Sequence, residues 1–199
     1  MSRTLAAKWD AIYSRSAATP AAPVAVLSDN AWLLPKTGTA LDLACGLGGN
    51  AQFLAAAGLA VLAFDISAVA IARLQRNASR QGLNISARQQ FIDAQCLAGR
   101  RFDVIVISRF LDRALGNAII HSLKPDGLLF YQTFTRTKVS DRGPENPDFL
   151  LKPQELLQLF APLRVIYYRD NAYIGDVEAG LRNEAQFIGQ KCNDTTQSP

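Results

Sequence analysis

Apolar positions fall along the chain in short runs that alternate between two periods. Thr39 to Cys45 reads as a strand that breaks at Gly46. Asn50 to Ala57 is alanine-rich and predicts a helix stopped by Gly58. Val61 to Phe64 is a short apolar run, hence a buried strand. Ser67 can cap a helix whose Ile71, Leu74 and Ala78 share one face and which Gly82 ends. Ile85 to Ile92 predicts a weaker strand, and the β-branched Val104-Ile-Val-Ile107 a central strand covered on both faces. Leu111, Leu115 and Ile119 recur every four residues, as on a helix. Lys124 to Gly127 carries turn chemistry, and Leu128 to Phe134 is again a strand. Such alternation predicts an α/β fold with a parallel sheet sandwiched between helices.

Past this core the chain turns polar from Thr135 to Asp148, a connection long enough to carry function. Pro153 suits the first turn of a helix bearing Leu156, Leu157 and Phe160. Val165 to Tyr168 and Ala185 to Ile188 read as two late strands. Ahead of the sheet lies a preamble, residues 1–36, with Trp9 and Tyr13 on one helical face. The expected organisation is one domain over 1–199: the preamble as a helical lid, a core over 37–192, and a tail over 193–199.

With 199 residues, 49% hydrophobic and 19% charged, the chain can bury a core without staples, and disorder and disulfide scaffolds are excluded. The run from Phe53 to Phe64, interrupted by Gly58, is shorter than the roughly 20 residues of a membrane span. The amino terminus shows no signal-peptide pattern, which predicts a cytoplasmic protein. Cys45, Cys96 and Cys192 are odd in number and far apart, as reduced thiols are, and no metal is expected. A net charge of +4 comes from scattered cations, not a basic stripe, so nucleic acid is disfavoured as a partner. A small molecule is the expected partner, and the protein is expected to be a monomer or homodimer.

Chemistry concentrates in Leu41-Asp-Leu-Ala-Cys-Gly-Leu-Gly-Gly-Asn50 and Phe64-Asp-Ile-Ser67. A strand feeds a glycine turn that opens a helix. Gly46 and Gly48 let the backbone approach a ligand, and the helix terminus offers free N–H groups. Asp65, closing the next strand, can accept both hydroxyls of a ribose. A nucleoside-containing cofactor lying across the strand ends satisfies all three. Gly46-x-Gly48-x-x-Ala51 also satisfies the dinucleotide pattern, which keeps an NAD-binding oxidoreductase as an alternative.

These segments, followed in order by Phe102-Asp-Val-Ile-Val-Ile-Ser108 and Leu123-Lys-Pro-Asp-Gly-Leu-Leu129, resemble the motif set of class I S-adenosylmethionine-dependent methyltransferases. Lys8-Trp-Asp-Ala-Ile-Tyr13 and Gly143 to Leu156 are similar to the tellurite-resistance-type, small-molecule branch. Gln154 stands where that branch has glycine, and Gly49-Asn50 where Gly-Arg is more usual. The resemblance implies a Rossmann-like, three-layer, seven-stranded sheet, mostly parallel with the last strand antiparallel. It implies S-adenosylmethionine as cofactor. Asp42, Gly46 and Gly48 would line its methionine and ribose end, and Asp65 would hold the ribose. Ile66 and Asp93 would meet the adenine, Ser108 would lie beside the methionine moiety, and Tyr13 would fold over from the preamble. Asp93 as a local cap is the competing reading.

No catalytic residue is identifiable. The one histidine, His121, precedes the fifth strand, on the far side from the cofactor ends. Methyl transfer needs a base only when the nucleophile arrives protonated. The expected acceptor is therefore already nucleophilic: a thiolate, a chalcogen oxyanion or a carboxylate. Arg109, Gln132, Arg136 and Arg142 sit at or beyond strand ends, where they could hold such an anion. A non-catalytic binder of the cofactor is the remaining alternative.

Overall fold

The computed structural model describes residues 2–16 and 21–193. Residues 17–20 of the preamble and 194–199 of the expected tail lie outside the described residues. The strands are β1 (Thr39–Leu43), β2 (Ala60–Asp65), β3 (Ile85–Gln89), β4 (Phe102–Ser108), β5 (Leu123–Phe134), β6 (Arg164–Arg169) and β7 (Glu184–Gln190). They form one seven-stranded sheet in the order β3-β2-β1-β4-β5-β7-β6. β1 to β5 run parallel, and β7 is antiparallel to both of its neighbours. The helices are α1 (Ser2–Arg15), α2 (Ala25–Ser28), α3 (Gly49–Ala56), α4 (Ala68–Gln81), α5 (Ala94–Leu97), α6 (Gly116–His121) and α7 (Glu155–Leu159). This is the expected Rossmann-like sandwich.

Strand alternation sorts the core into two layers. Ile105 and Ile107 of β4 join Leu41, Leu43, Leu129 and Tyr131 against α5, α6 and α7. Val104 and Val106 face the other way, with Ala40, Val61, Ala63 and Phe130, against α2, α3 and α4. All four β4 side chains are fully buried, as a doubly covered strand requires.

Three expectations change. The helix expected through Leu111 and Ile119 is a 3-10 turn, Arg113–Leu115, followed by the short α6. The Asp112 carboxylate accepts the Ala114 N–H at 2.9 Å, and the Tyr131 hydroxyl donates to the Phe110 carbonyl at 2.9 Å, so the segment between β4 and the 3-10 turn is held outside a helix. The turn chemistry of Lys124 to Gly127 lies inside β5 as an irregularity. Pairing jumps from Phe102↔Leu123 to Val104↔Leu128, and Asp126 has φ +61°. β3 stops at Gln89, and the Gln90 N–H makes the last rung of its ladder with β2, to the Asp65 carbonyl at 2.8 Å.

Candidate functional site

Between β1 and α3 the chain makes a tight turn in which Ala44, Gly46 and Gly48 all have left-handed φ, at +59°, +51° and +79°. The turn is braced by Cys45 N–H to the Phe64 carbonyl and Gly48 N–H to the Cys45 carbonyl, both 2.9 Å. The Asp65 carboxylate closes it. One oxygen accepts the Gly46 N–H at 2.8 Å and the other the Ser67 N–H at 2.9 Å. Burial raises the pKa of this carboxyl, and the two N–H donors oppose that rise. The bend and the acid thus belong to one cradle. Each carboxylate oxygen spends one lone pair on the backbone and keeps acceptor capacity.

α1 lies against this cradle through polar contacts at the start of α4. Asp10 accepts from the Ser67 hydroxyl at 2.5 Å and the Val69 N–H at 3.2 Å. Arg73 of α4 donates to the carbonyls of Tyr13 and Ser16 at 2.8 and 3.2 Å. Trp9 stacks on Tyr13 with centroids 5.6 Å apart. Tyr13 reaches the turn itself: a Cβ built on Gly46 would stand 2.8 Å from its hydroxyl. Burial, then the Asp65, Cys45 and Asp42 charges, push the Tyr13 pKa upward, so the hydroxyl stays a proton donor.

Two of the residues expected at the methionine and ribose end are also tied into the scaffold of the cradle. Asp42 is fully buried. Its carboxylate accepts the Ala51 N–H at 3.0 Å and faces the Asn50 amide at 3.4 Å, so it anchors the start of α3. Gly48 is required by packing. Its missing Cβ would fall 2.3 Å from Leu74 Cδ1 on α4, and its N–H is consumed by the turn. Asp93 caps α5, accepting the Cys96 N–H at 2.8 Å, which is the competing local reading of that residue. Ile66 is half-buried beside Asp65, at the end of β2. Ser108, at the end of β4, accepts from the Asn50 amide at 3.1 Å.

Of the candidate acceptor residues, Arg109 and Arg142 converge and the other two do not. Both guanidiniums approach Oε1 of Glu184, at 3.6 and 3.5 Å. Gln132 is buried and committed. Its carbonyl accepts from Val26 N–H and Gln186, both at 2.9 Å, and its amide donates to Glu184 Oε2 at 2.6 Å. Arg136 bonds the Pro147 carbonyl at 3.3 Å, within its own loop. Sequence patterning missed Glu184, Asn50 and Asp10. Asn50 was open to recognition as a polar residue opening α3. Glu184 carried no local signal.

Residues 40–127 match the family model of the methyltransferase domain. That stretch of the chain thus has the pattern of a methyltransferase domain, set in the sheet described above. The match covers both the glycine turn and Asp65, and it speaks for a methyl donor over the dinucleotide which Gly46 and Gly48 had left open. The domain is similar to the ubiquinone biosynthesis O-methyltransferase of Actinobacillus pleuropneumoniae serotype 5b, with 31% identity over 143 residues, 59% of this chain and 61% of that protein. The chain therefore spans about three fifths of such curated relatives. TehB from Haemophilus influenzae superposes with a TM-score of 0.68 at 22% identity, covering 92% of this chain and 67% of TehB. A structure concerned with the conversion of a disulfide bond into a thioacetal group during echinomycin biosynthesis superposes equally, at 0.68 and 20% identity, covering 96% and 94%. At these identities the structural likeness is one of fold. No helix among the described residues is long and apolar enough to cross a membrane.

Proposed function

We propose that this methyltransferase domain transfers a methyl group from S-adenosylmethionine to a small acceptor that is already nucleophilic: a thiolate, a chalcogen oxyanion or a carboxylate. The carrying observation is the Asp65 carboxylate bonded to the Gly46 N–H at 2.8 Å, which joins the glycine turn and the acidic strand end in one cradle. The residues present fit the cofactor. Asp65 keeps acceptor capacity for a ribose diol, Tyr13 offers a donor over the turn, and Ser108 with Asn50 continues the polar rim toward β4. When bound, S-adenosylmethionine supplies a methyl group on a sulfonium, activated for in-line displacement.

The chain's own contribution is position. Asp65 fixes the turn, Asp42 fixes the helix behind it, and α1 closes over both as a lid. His121 ends α6 just ahead of β5, so it lies at the opposite edge of the sheet, with Nδ1 2.6 Å from the Asn117 carbonyl. An acceptor that needs no deprotonation suits this arrangement. The free thiols of Cys45, Cys96 and Cys192 suit a reducing, cytoplasmic setting. The name of the O-methyltransferase relatives supports a second reading, transfer to a hydroxyl oxygen.

Calorimetric titration with S-adenosylhomocysteine tests the cradle. The native protein is expected to bind it, and Asp65→Ala to weaken binding by about 1.5–3 kcal/mol, the range for a hydrogen bond to a charged group. No binding by the native chain overturns the proposal. Methylated product from a panel of thiols, chalcogen oxyanions, carboxylates and phenols then separates the two acceptor readings. The absence of product from every acceptor would make the domain a non-catalytic binder.

A further inference from the structure

Because β7 runs antiparallel, its first residue reaches the edge where the parallel strands end. That residue is Glu184, and its side chain is fully buried. Oε2 is held by Gln132, while Oε1 accepts no hydrogen bond. Above Oε1 stand the guanidiniums of Arg109 and Arg142, 54% and 59% exposed and just beyond hydrogen-bond distance. Neither donates a hydrogen bond to another described residue, so their donors are available.

Two further observations mark the pair. Arg109 follows Ser108 directly and has φ +51°, a left-handed conformation that a non-glycine residue adopts only at a cost. The turn carries its side chain toward Glu184. Arg142 comes from the Thr135 to Asp148 loop. Asn183, the residue before Glu184, ties that loop down by accepting the Val139 N–H and donating to the Ser140 hydroxyl, both at 2.7 Å.

We propose that Arg109 and Arg142, drawn together over the buried Glu184 carboxylate, hold an anionic group of the methyl acceptor that is not itself methylated. Two guanidiniums and one carboxylate leave a single positive charge, which a carboxylate or other monoanion neutralises. The anion is a spectator because two guanidiniums bonded to the attacking atom would draw charge from it and blunt its attack on the methyl carbon. The inference rests on the methyltransferase reading, and it narrows the acceptor to a nucleophile that also bears an anionic handle.

The probes are 3-mercaptopropionate and 3-mercaptopropanol, which differ in the carboxylate. Each is titrated by NMR into the full chain saturated with S-adenosylhomocysteine, and each is offered with S-adenosylmethionine for methyl transfer. The native protein is expected to bind the propionate about tenfold more tightly, and added salt to reduce that preference. In Arg109→Gly and in Arg142→Ala the preference is expected to fall to about twofold or less. Arg109→Gly is also expected to unfold at the same or a higher urea concentration, since glycine relieves the backbone; a merely structural arginine would lower it. Equal binding of both probes by the native chain, or a preference that survives both substitutions, overturns the clamp. If the native chain prefers the propionate but methylates neither thiol, the clamp stands and the thiolate reading of the acceptor falls.

Discussion

In an Asp42→Asn variant the pH dependence of stability is expected to flatten. Asp42 is fully buried beneath the glycine turn. Burial, opposed by the hydrogen bonds from Asn50 and Ala51 and reinforced by Asp65, pushes its carboxyl from 3.8 up to about 7. Between those values the native state binds a proton that the unfolded chain has released, so stability falls as pH rises. The stabilisation is complete below the unfolded value, is lost through the folded one and is absent above it. At about 1.4 kcal/mol per pKa unit the whole effect is about 4 kcal/mol, and more than half of it falls between pH 5 and pH 8. Asp103 and Glu155, whose partial burial is outweighed by hydrogen bonds from Lys124 and Thr39 and from Arg113 and Lys152, shift the other way and act below this window. Urea unfolding of both proteins across the window measures the difference in slope. Asparagine keeps the shape and an acceptor for the Ala51 N–H but cannot ionise. Parallel curves for the two proteins would refute the buried-carboxyl account of Asp42.

Two further substitutions test the scaffold of the site. Gly48→Ala places a methyl carbon 2.3 Å from Leu74 Cδ1 at φ +79° and is expected to cost about 2–4 kcal/mol in urea unfolding, part of it recovered when Leu74→Ala is added. No recovery in the double variant would show that Leu74 is not what Gly48 accommodates. Gln154→Gly is expected to stabilise by about 1 kcal/mol, because Gln154 starts α7 at φ +61° without a side-chain cap. A loss of stability would mean that the exposed Gln154 side chain contributes more than its backbone strain costs.

The strands and the cradle were legible because their signals are local. Period-two and β-branched runs placed β1, β2 and β4 within a few residues, and a glycine turn followed by an acid at the next strand end named Gly46 and Asp65. The same reading did not show what two of the candidate residues pack against. From sequence Gly48 looks like room for a ligand; across space the room belongs to Leu74 of α4. Asp42 looks like a polar lining, yet α3 folds over it and takes its oxygens.

What the chain alone determined is therefore the order of elements, the two apolar faces of the sheet and the joint between bend and acid. These rest on periodicity, turn chemistry and neighbours close in sequence. The acceptor end was decided by tertiary structure. Glu184 reaches the strand-end edge only because β7 is inserted antiparallel between β5 and β6, and Arg109 meets Arg142 only because a loop from beyond β5 is tied to the residue before Glu184. Contacts between residues so distant along the chain leave no period to read, and there the packing of the sheet chooses the partners.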